Sequence, residues 1–324
     1  MIGKIKQMIK ITLSSYRQTN FIHGFFKDDY KSPKVNLGQI QSSLNSVKKI
    51  SDLSEVEFQV FSQFGDDGII DYLTEKIPMP NKTFIEFGVE DYRESNTRFL
   101  LINKYWSGLI IDGSIENIKK IKSEQFYNFY DVKAECSFIT RSNINDILKN
   151  SGFHEDLGIL SIDIDGNDFW IWKEINCIRP IIVICEYNSL FGFEKEITIE
   201  YDEQFVRGSK YKFNFYGTSL KAIAKLASEK GYSLIGSNSA GNNAYFVRND
   251  HMKFLPFESK SVEEVYKVAS FTETWEEGEA LRGSKKFLSI NGLPVYNVSK
   301  EMVENLDSNE IVLSLVKNNK NLRD

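Results

Sequence analysis

Short apolar runs alternate with polar segments through the middle of the chain. The apolar runs predict strands at residues 83–89, 107–114, 128–136, 157–165 and 180–188. The polar segments between them predict helices at residues 94–104, 115–125, 142–151 and 167–176. Strands that are apolar on both faces and alternate with helices are typical of a parallel sheet covered on both sides.

Two further strands follow a helix predicted at residues 219–232. Their sequences, YSLIGSN and NNAYFVRN, are joined by a turn rich in Gly and Asn, which indicates a β-hairpin. The whole pattern therefore predicts an α/β fold with a doubly wound, mostly parallel sheet and an antiparallel terminal hairpin.

The segments around these elements predict three regions. Residues 1–54 form a basic, helical arm, because apolar residues recur at helical spacing between lysines in MIGKIKQMIKITL. Residues 55–250 form the core, with an aromatic and charged insertion at 191–216 that has the length of a lid. Residues 251–324 form a helical C-terminal extension.

Charge is unevenly distributed along the 324 residues. The formal net charge is −5, yet residues 1–50 contain nine Lys or Arg and two Asp, which gives them +7 and leaves −12 for the remainder. Because the core is acidic, we expect no nucleic-acid partner. The basic amphipathic arm predicts packing on the protein, a homo-oligomer formed through residues 1–50, or peripheral contact with an anionic membrane.

The sequence predicts a cytoplasmic protein, with the inner face of the membrane as the alternative location. No apolar run reaches the ~20 residues that span a bilayer, and lysines interrupt the apolar run at the amino terminus. Cys136, Cys177 and Cys185 lie in apolar or strand-like stretches without metal-binding spacing, as expected of buried free thiols in a reducing compartment.

Acidic residues follow the predicted strands at the edge where open α/β sheets bind ligands. They are Glu86, Glu90 and Asp91 after the first strand, Asp112 after the second, Asp163 and Asp165 after the fourth, and Glu186 after the fifth. Because the carboxyl ends of parallel strands meet at one edge, these residues predict a site there.

The end of the first strand indicates the kind of cofactor. A dinucleotide site needs glycines spaced G-x-G-x-x-G, whereas EFGVEDYRE has only Gly88, among carboxylates that would repel phosphate. A cationic or zwitterionic cofactor without phosphate fits better. S-adenosylmethionine has a sulfonium, an amine and ribose hydroxyls, and Asp112 suits the hydroxyls.

Five stretches of the core resemble the FkbM-like S-adenosylmethionine-dependent methyltransferases, in particular the bacterial branch found with capsule and surface-polysaccharide sugar genes. The stretches are FSQFGDDGII, FIEFGVEDYRESNTRFLL, WSGLIIDGS, LSIDIDGNDFWIW and VICEYN, within residues 55–250. The resemblance implies a Rossmann-like class I methyltransferase fold and O-methylation of a sugar hydroxyl, on a nucleotide-linked sugar or a glycan. The sequence departs from the family at Tyr92, where a glycine is expected.

The resemblance also implies cofactor-binding residues at the first two strands. Gly88 would let the backbone approach the cofactor, and Glu86 would anchor that end of the pocket. Asp112, beside Gly113, would take the ribose hydroxyls.

Further cofactor contacts are implied on either side of the first strand. Ser95 and Asn96, which open the next helix, would hold the carboxylate of the cofactor. Gln63 and either Asp66 or Asp67 would close the pocket, unless this segment is only a helix cap.

Methyl transfer to a sugar hydroxyl requires an aligned acceptor oxygen and removal of its proton. By similarity to the metal-dependent sugar methyltransferases of the macrocin type, Asp163 would bind the metal and Asp165 would act as the base. Glu186 and Asn188 would complete the metal site, and an all-oxygen set of ligands suits Mg²⁺ or Mn²⁺. Two alternatives remain: a metal-free enzyme that uses Asp165 alone, and an Asp163 that only accepts backbone hydrogen bonds.

Two further residues have less specific signals. Asp168 is expected in the first turn of a helix, where a carboxylate offsets the helix dipole. His251 follows the last predicted strand and is a second candidate catalytic residue, with a surface position as the alternative.

Two other functions are consistent with the same residues. Asp163-Ile164-Asp165 is formally the D-x-D of a metal-dependent glycosyltransferase, although the acidic loop at Gly88 and the terminal hairpin favour a methyltransferase. The other alternative is a scaffold that has the same fold and no catalysis.

Overall fold

The computed structural model describes residues 32–153, 156–276 and 278–322, so the amphipathic pattern predicted at residues 1–13 lies outside the described residues. Five strands lie close to their predicted positions: β1 (Thr83–Phe87), β2 (Ser107–Asp112), β3 (Val132–Cys136), β4 (Ile159–Ile162) and β5 (Ile182–Glu186). The later strands are β6 (Ile197–Ile199) in the insertion, then β7 (Tyr232–Ser237) and β8 (Asn243–Arg248), which form the predicted hairpin.

The main sheet has the order β3-β2-β1-β4-β5-β8-β7. The first five strands in this order pair in parallel, and β8 is antiparallel to both of its neighbours. The order reverses between β1 and β4, which is where open α/β sheets bind ligands. The predicted fold class, a doubly wound and mostly parallel sheet with an antiparallel terminal hairpin, is confirmed.

Helices cover both faces of this sheet because successive strand residues point to opposite sides. The helices are α1 (Pro33–Ser46), α2 (Asp66–Lys76), α3 (Arg98–Lys104), α4 (Ile115–Ser123), α5 (Ile144–Asn150), α6 (Asp168–Glu174) and α7 (Leu220–Glu229). Phe84 of β1 packs in one apolar core with α2, α3 and α4. Ile85 and Phe87 pack in the other core with α5, α6 and α7.

The C-terminal extension differs from the helical segment that the sequence predicted. It contains α8 (Val262–Val265), the short hairpin of β9 (Trp275–Glu276) and β10 (Glu279–Ala280), α9 (Gly283–Leu288), β11 (Pro294–Asn297), β12 (Met302–Asn305) and α10 (Ser308–Lys317). β11 pairs with both β12 and β6, so the extension and the insertion share a three-stranded sheet.

The three cysteines differ in how far they are buried. Cys185 is buried, as expected, but Cys177 is only half-buried and Cys136 is exposed, because it ends the edge strand β3.

Among the described residues, no helix combines the length and the apolar character needed to cross a membrane.

Candidate active site

A cleft lies at the carboxyl edge of the sheet, beyond β1, β2, β4 and β5. It consists of two adjoining cavities of about 950 and 640 Å³, including the space open to solvent. Both cavities are lined by Gly88, Glu90, Asp163 and Asp165. Because the two cavities share these lining residues, ligands bound in them would meet at this point.

The larger cavity, here called the acidic cavity, has a strongly negative lining. Among the described residues that line it, Arg207 is the one cation. The carboxylates in the same lining are Glu86, Glu90, Glu94, Asp163, Asp165, Glu186 and Glu273. Such a surface attracts cations and zwitterions and repels an unscreened phosphate.

Asp163, Asp165 and Glu186, here called the carboxylate cluster, are brought together as predicted. Oxygens from the three side chains all lie within 4.8 Å of one another. Glu186 ends β5 and is buried, and its Oε2 has no hydrogen-bond partner among the described residues. Burial and the neighbouring carboxylates raise the pKa of both Asp163 and Glu186 well above their usual values. A divalent cation would offset the repulsion among these carboxylates and would give Glu186 Oε2 a partner.

Asp165 reaches the cluster through a turn and not through a strand. β4 ends at Ile162, so the strand predicted as far as residue 165 stops before both aspartates, and Asp165 has a left-handed φ of 57°. Asp168 holds the turn, because its buried carboxylate accepts hydrogen bonds from the N–H groups of Ile164 (2.9 Å) and Gly166 (3.0 Å). Burial raises the pKa of Asp168 to about 6. Asp168 therefore has a structural role at the start of α6.

Arg207 contacts Asp165 directly and was not identified from the sequence. Its guanidinium donates to Asp165 Oδ1 at 2.7 Å and forms an ion pair with Glu273 of the extension. The ring centroids of Tyr216 and Phe213 lie 3.7 and 4.3 Å from its Cζ. The stretch RGSKYKFNFYG has three cations among aromatics, and its sequence does not indicate which of them turns inward.

Gly88 packs against the end of β4. Its φ is 69°, and a Cβ atom at this position would lie 1.6 Å from the carbonyl oxygen of Asp163. The absence of a side chain therefore sets how closely the loop after β1 approaches the carboxylate cluster.

Replacing Gly88 by alanine is expected to destabilise the protein far more than replacing Gly231. Both glycines have left-handed backbones, but a Cβ at Gly231 would meet nothing within 4 Å. Gly231→Ala should cost about 1–2 kcal/mol for the backbone alone. Gly88→Ala should cost about 1–3 kcal/mol more because of the collision, as denaturant unfolding would measure. Equal losses of unfolding free energy in the two variants would show that the loop after β1 shifts to accommodate the Cβ atom.

Tyr92 occupies the position where the resemblance predicted a glycine. Its φ of 62° is the left-handed conformation that a glycine would adopt there. The side chain is fully buried, with its hydroxyl 2.9 Å from Thr97 Oγ1 and its ring 5.7 Å from that of Phe126. Because Tyr92 packs into the core on one face of the sheet, it does not obstruct the cleft.

Glu86 lines the acidic cavity and at the same time holds the start of α3. Its buried carboxylate accepts hydrogen bonds from Ser95 Oγ (2.8 Å) and from the N–H groups of Asn96 (2.8 Å) and Thr97 (3.1 Å). Asn96 Nδ2 donates to Ser161 Oγ at 3.1 Å. Glu86, Ser95 and Asn96 are therefore together at the cleft, where they form a wall whose side chains bond mainly to one another.

Asp112 lies with Gly113 in the smaller cavity. Its Oδ2 accepts from the N–H of Glu90 at 2.8 Å, and its Oδ1 accepts from Ser114 N (2.8 Å) and Asn117 Nδ2 (3.1 Å). A carboxylate offers about four acceptor positions. Asp112 therefore joins the loop after β1 to the start of α4 and keeps one position for a ligand.

The segment before α2 contributes Gln63 to the acidic cavity, but not its two aspartates. Asp67 Oδ2 accepts three backbone N–H groups, from residues 60–62, at 2.7–2.8 Å. Asp66 is buried and bonds to Asn243 and Tyr245 of the terminal hairpin. The cofactor-binding role predicted for Asp67 is therefore corrected to the alternative, a local cap, because its carboxylate already holds its own loop.

Asn188 does not complete the metal site. Its Nδ2 donates to the carbonyl groups of Asn214 (2.9 Å) and Tyr216 (3.0 Å), and its Oδ1 accepts from the N–H of Leu190 (3.0 Å). These bonds use the side-chain amide to hold the insertion against the end of β5. The prediction of a metal ligand is corrected accordingly.

His251 lies at the opposite edge of the sheet. Because β8 runs antiparallel to β5, its carboxyl end is beside the amino end of β5, where the N–H of Arg248 bonds to the carbonyl of Ile181. His251 Nδ1 lies 2.9 Å from Asp250 Oδ1 in this region. The predicted catalytic role of His251 is therefore wrong.

Comparisons with known proteins gave only distant similarities. No family model and no curated protein match the chain. Solved structures that it resembles include an S-adenosylmethionine-dependent methyltransferase from Clostridium acetobutylicum ATCC 824, at 12% identity and a TM-score of 0.36, over 56% of this chain and 90% of that one. Another is an O-methyltransferase from Bacillus cereus in complex with SAH, at 13% identity and a TM-score of 0.38, over 67% and 90%.

A third similar structure is the N-terminal domain of EvdMO1 with SAH bound, at 9% identity and a TM-score of 0.38, over 64% of this chain and 94% of that one. Similarities of this size carry no conclusion about chemistry. The fold follows from the strand order, and the chemistry depends on the residues of the cleft.

Proposed function

We propose that the protein is an S-adenosylmethionine-dependent O-methyltransferase that acts on a sugar hydroxyl, in a nucleotide-linked sugar or in a capsule or surface glycan. The observation that carries this proposal is the carboxylate cluster at the junction of the two cavities, beside the loop at Gly88. The junction lies where the strand order reverses, which is the usual ligand position in such sheets.

The smaller cavity suits the nucleoside of the cofactor, and the acidic cavity suits its charged end. S-adenosylmethionine, when bound, supplies an electrophilic methyl group. Asp112 would hold the ribose hydroxyls with its remaining acceptor position, and Gly88 leaves the backbone accessible. Glu90 and Gln63 would stabilise the sulfonium and amine ends, since both residues line the acidic cavity.

Asp165 is the candidate general base. Its side chain is 57% exposed within the cleft, and Arg207 bonds to Oδ1 alone. Asp165 would accept the proton that the acceptor hydroxyl loses as its oxygen takes the methyl group. Arg207 and the turn held by Asp168 fix the position of this carboxylate, which limits the motion that would otherwise slow proton transfer.

Asp163 and Glu186 would hold Mg²⁺ or Mn²⁺ beside the base. The fit rests on the carboxylate oxygens of Asp163 and Glu186, which lie within 4.8 Å of each other, on the unpartnered Glu186 Oε2, and on the repulsion within the cluster. A divalent ion at this position would polarise an acceptor oxygen and neutralise negative charge. Asn188 is not needed for this set, because carbonyl groups and solvent supply the remaining ligands of such ions.

A metal-dependent glycosyltransferase is the main competing function. Its nucleotide diphosphate would have to enter a cavity in which the described lining has one arginine and seven carboxylates. Thermal shift separates the two functions. If the protein is a methyltransferase, S-adenosylhomocysteine should raise the melting temperature. If the competing function is correct, only UDP or GDP with Mn²⁺ should raise it. A non-catalytic scaffold would have no reason to keep the buried, mutually repelling cluster.

Replacing Asp112 by asparagine is expected to weaken the binding of S-adenosylhomocysteine by at least about 1.5 kcal/mol, because one acceptor oxygen and the charge that strengthens the bonds to the ribose and to the loop after β1 are lost. Isothermal titration calorimetry would measure the change. Glu116→Gln is the matched control, since this substitution removes the same charge from an exposed residue in the first turn of α4. Unchanged affinity in Asp112→Asn, with unchanged melting temperature, would remove Asp112 from the site.

A further inference from the structure

Helix α1 packs on the core through a face that has one large apolar side chain. Its buried residues are Val35, Gly38, Ser42 and Asn45. A Cβ atom at Gly38 would lie 2.5 Å from Val60, and Asn45 Nδ2 donates to the carbonyl of Val56 at 2.7 Å. Close approach and a side-chain hydrogen bond therefore hold this helix, with little apolar burial of its own.

The opposite face of α1 is apolar and exposed. It consists of Leu37, Ile40, Leu44 and Val47, here called the apolar stripe, which are 63%, 55%, 56% and 83% exposed. At about 100° per residue, the stripe is about 80° wide and its centre lies about 160° from that of the buried face. Four aliphatic side chains thus point away from the core in one row, which is a pattern that marks a contact surface.

The charges around the apolar stripe indicate what this surface contacts. No acidic residue occurs in residues 30–51, while Lys34, Lys48 and Lys49 are exposed at the two ends of the stripe. Residues 1–31 precede α1 in the sequence and also combine lysines with apolar residues. They contain six Lys or Arg and two Asp. A second copy of α1, or the basic segment before it, would bring like charges together, whereas an anionic surface would neutralise them.

We propose that the apolar stripe and its flanking lysines dock this protein on an anionic lipid surface. The apolar side chains would enter the boundary between headgroups and acyl chains, with the helix axis parallel to the membrane. The lysines would lie among the anionic headgroups, so attachment depends on lipid charge and weakens as salt screens it. This inference is independent of the reaction that takes place in the cleft.

Vesicle flotation of the full-length protein tests the inference. Vesicles of phosphatidylcholine with phosphatidylglycerol should carry the protein, vesicles of phosphatidylcholine alone should not, and raising the salt concentration should release it. Ile40→Ser with Leu44→Ser should lower the partition coefficient by about tenfold. Lys34→Glu with Lys49→Glu should lower it similarly, without touching the stripe.

A matched control has the same chemical change on another helix. Leu313 and Val316 of α10 are 70% and 59% exposed, so Leu313→Ser with Val316→Ser should bind vesicles like the wild type. All variants should keep the melting temperature of the wild type, because the changed side chains are exposed.

Three results would overturn the inference. The first is full-length protein that does not float with anionic vesicles at low salt. The second is an Ile40→Ser, Leu44→Ser variant that floats like the wild type, which would leave attachment to residues outside the stripe. The third is a dimer in light scattering that this variant dissociates, which would make the stripe an interface between two copies.

Discussion

Replacing Asp165 by asparagine is expected to lower kcat by about 10²–10⁴-fold, the usual contribution of a positioned general base. The substitution keeps the shape of the side chain and an oxygen that can accept the bond from Arg207, and it removes the proton acceptor. The affinity for S-adenosylhomocysteine should stay near that of the wild type, because Asp165 is assigned to the acceptor and not to the ribose. Methyl transfer from labelled S-adenosylmethionine would measure kcat, and calorimetry with S-adenosylhomocysteine would measure the affinity.

A matched control separates loss of the base from loss of charge in general. Asp131→Asn makes the same change at an exposed aspartate just before β3, away from the cleft, and should leave kcat unchanged. Full turnover by Asp165→Asn on the true acceptor would contradict the assignment of the base. In that case a hydroxyl or carboxylate of the insertion would be the next candidate.

Removing divalent metal ions is expected to lower the rate of methyl transfer by about 10²-fold or more, since a metal ion contributes several kcal/mol of charge stabilisation. Treatment with EDTA followed by readdition of Mg²⁺ or Mn²⁺ would measure the loss and the recovery. Asp163→Asn should be inactive at low metal concentration and partly restored by excess metal. A wild-type rate that EDTA does not change would contradict the metal site and leave Asp165 to act alone.

The carboxylate cluster also gives the metal effect a predictable pH dependence. Burial and mutual repulsion raise the pKa of Asp163 and Glu186 in the folded chain. Without metal, stability should therefore fall as the pH rises from the usual carboxyl pKa through the raised values, because the folded state binds more protons than the unfolded state in that window. The stabilisation by Mn²⁺ should grow as the pH rises, because the metal binds the deprotonated cluster.

Glu186→Gln should weaken both the loss of stability at high pH and the stabilisation by Mn²⁺. The variant removes a buried, repelled charge, so without metal at high pH it should melt at a higher temperature than the wild type. It should gain little from added Mn²⁺, because one ligand is lost. A Glu186→Gln variant that is stabilised by Mn²⁺ as strongly as the wild type would show that the ion binds elsewhere.

Much of the fold could be predicted because it depends on local patterns. The strands β1, β2 and β5 lie in runs that are apolar on both faces, and such runs indicate buried parallel strands wherever they alternate with helices. Parallel strands all end at the same edge, so Asp163 and Glu186, from the ends of neighbouring β4 and β5, were predictable neighbours.

The errors have equally specific causes. His251 was assigned to the cleft because it follows a strand, but β8 runs antiparallel, and its end therefore lies at the opposite edge. Asn188 follows β5 as predicted, but its amide is used by the backbone of the insertion, whose path the sequence does not indicate. Arg207 was missed for the same reason, since its position depends on Glu273 in a distant part of the chain.

The proposed function requires that the cofactor and the metal occupy one cleft and meet at the carboxylate cluster. It is tested most directly by nuclear magnetic resonance of S-adenosylmethionine that carries a ¹³C label in its methyl group, bound to the full-length protein and titrated with Mn²⁺. Strong paramagnetic broadening of the bound methyl signal is expected in the wild type, and weak broadening is expected in Glu186→Gln. A methyl signal that Mn²⁺ does not broaden, or a protein that does not bind the labelled cofactor, would contradict it.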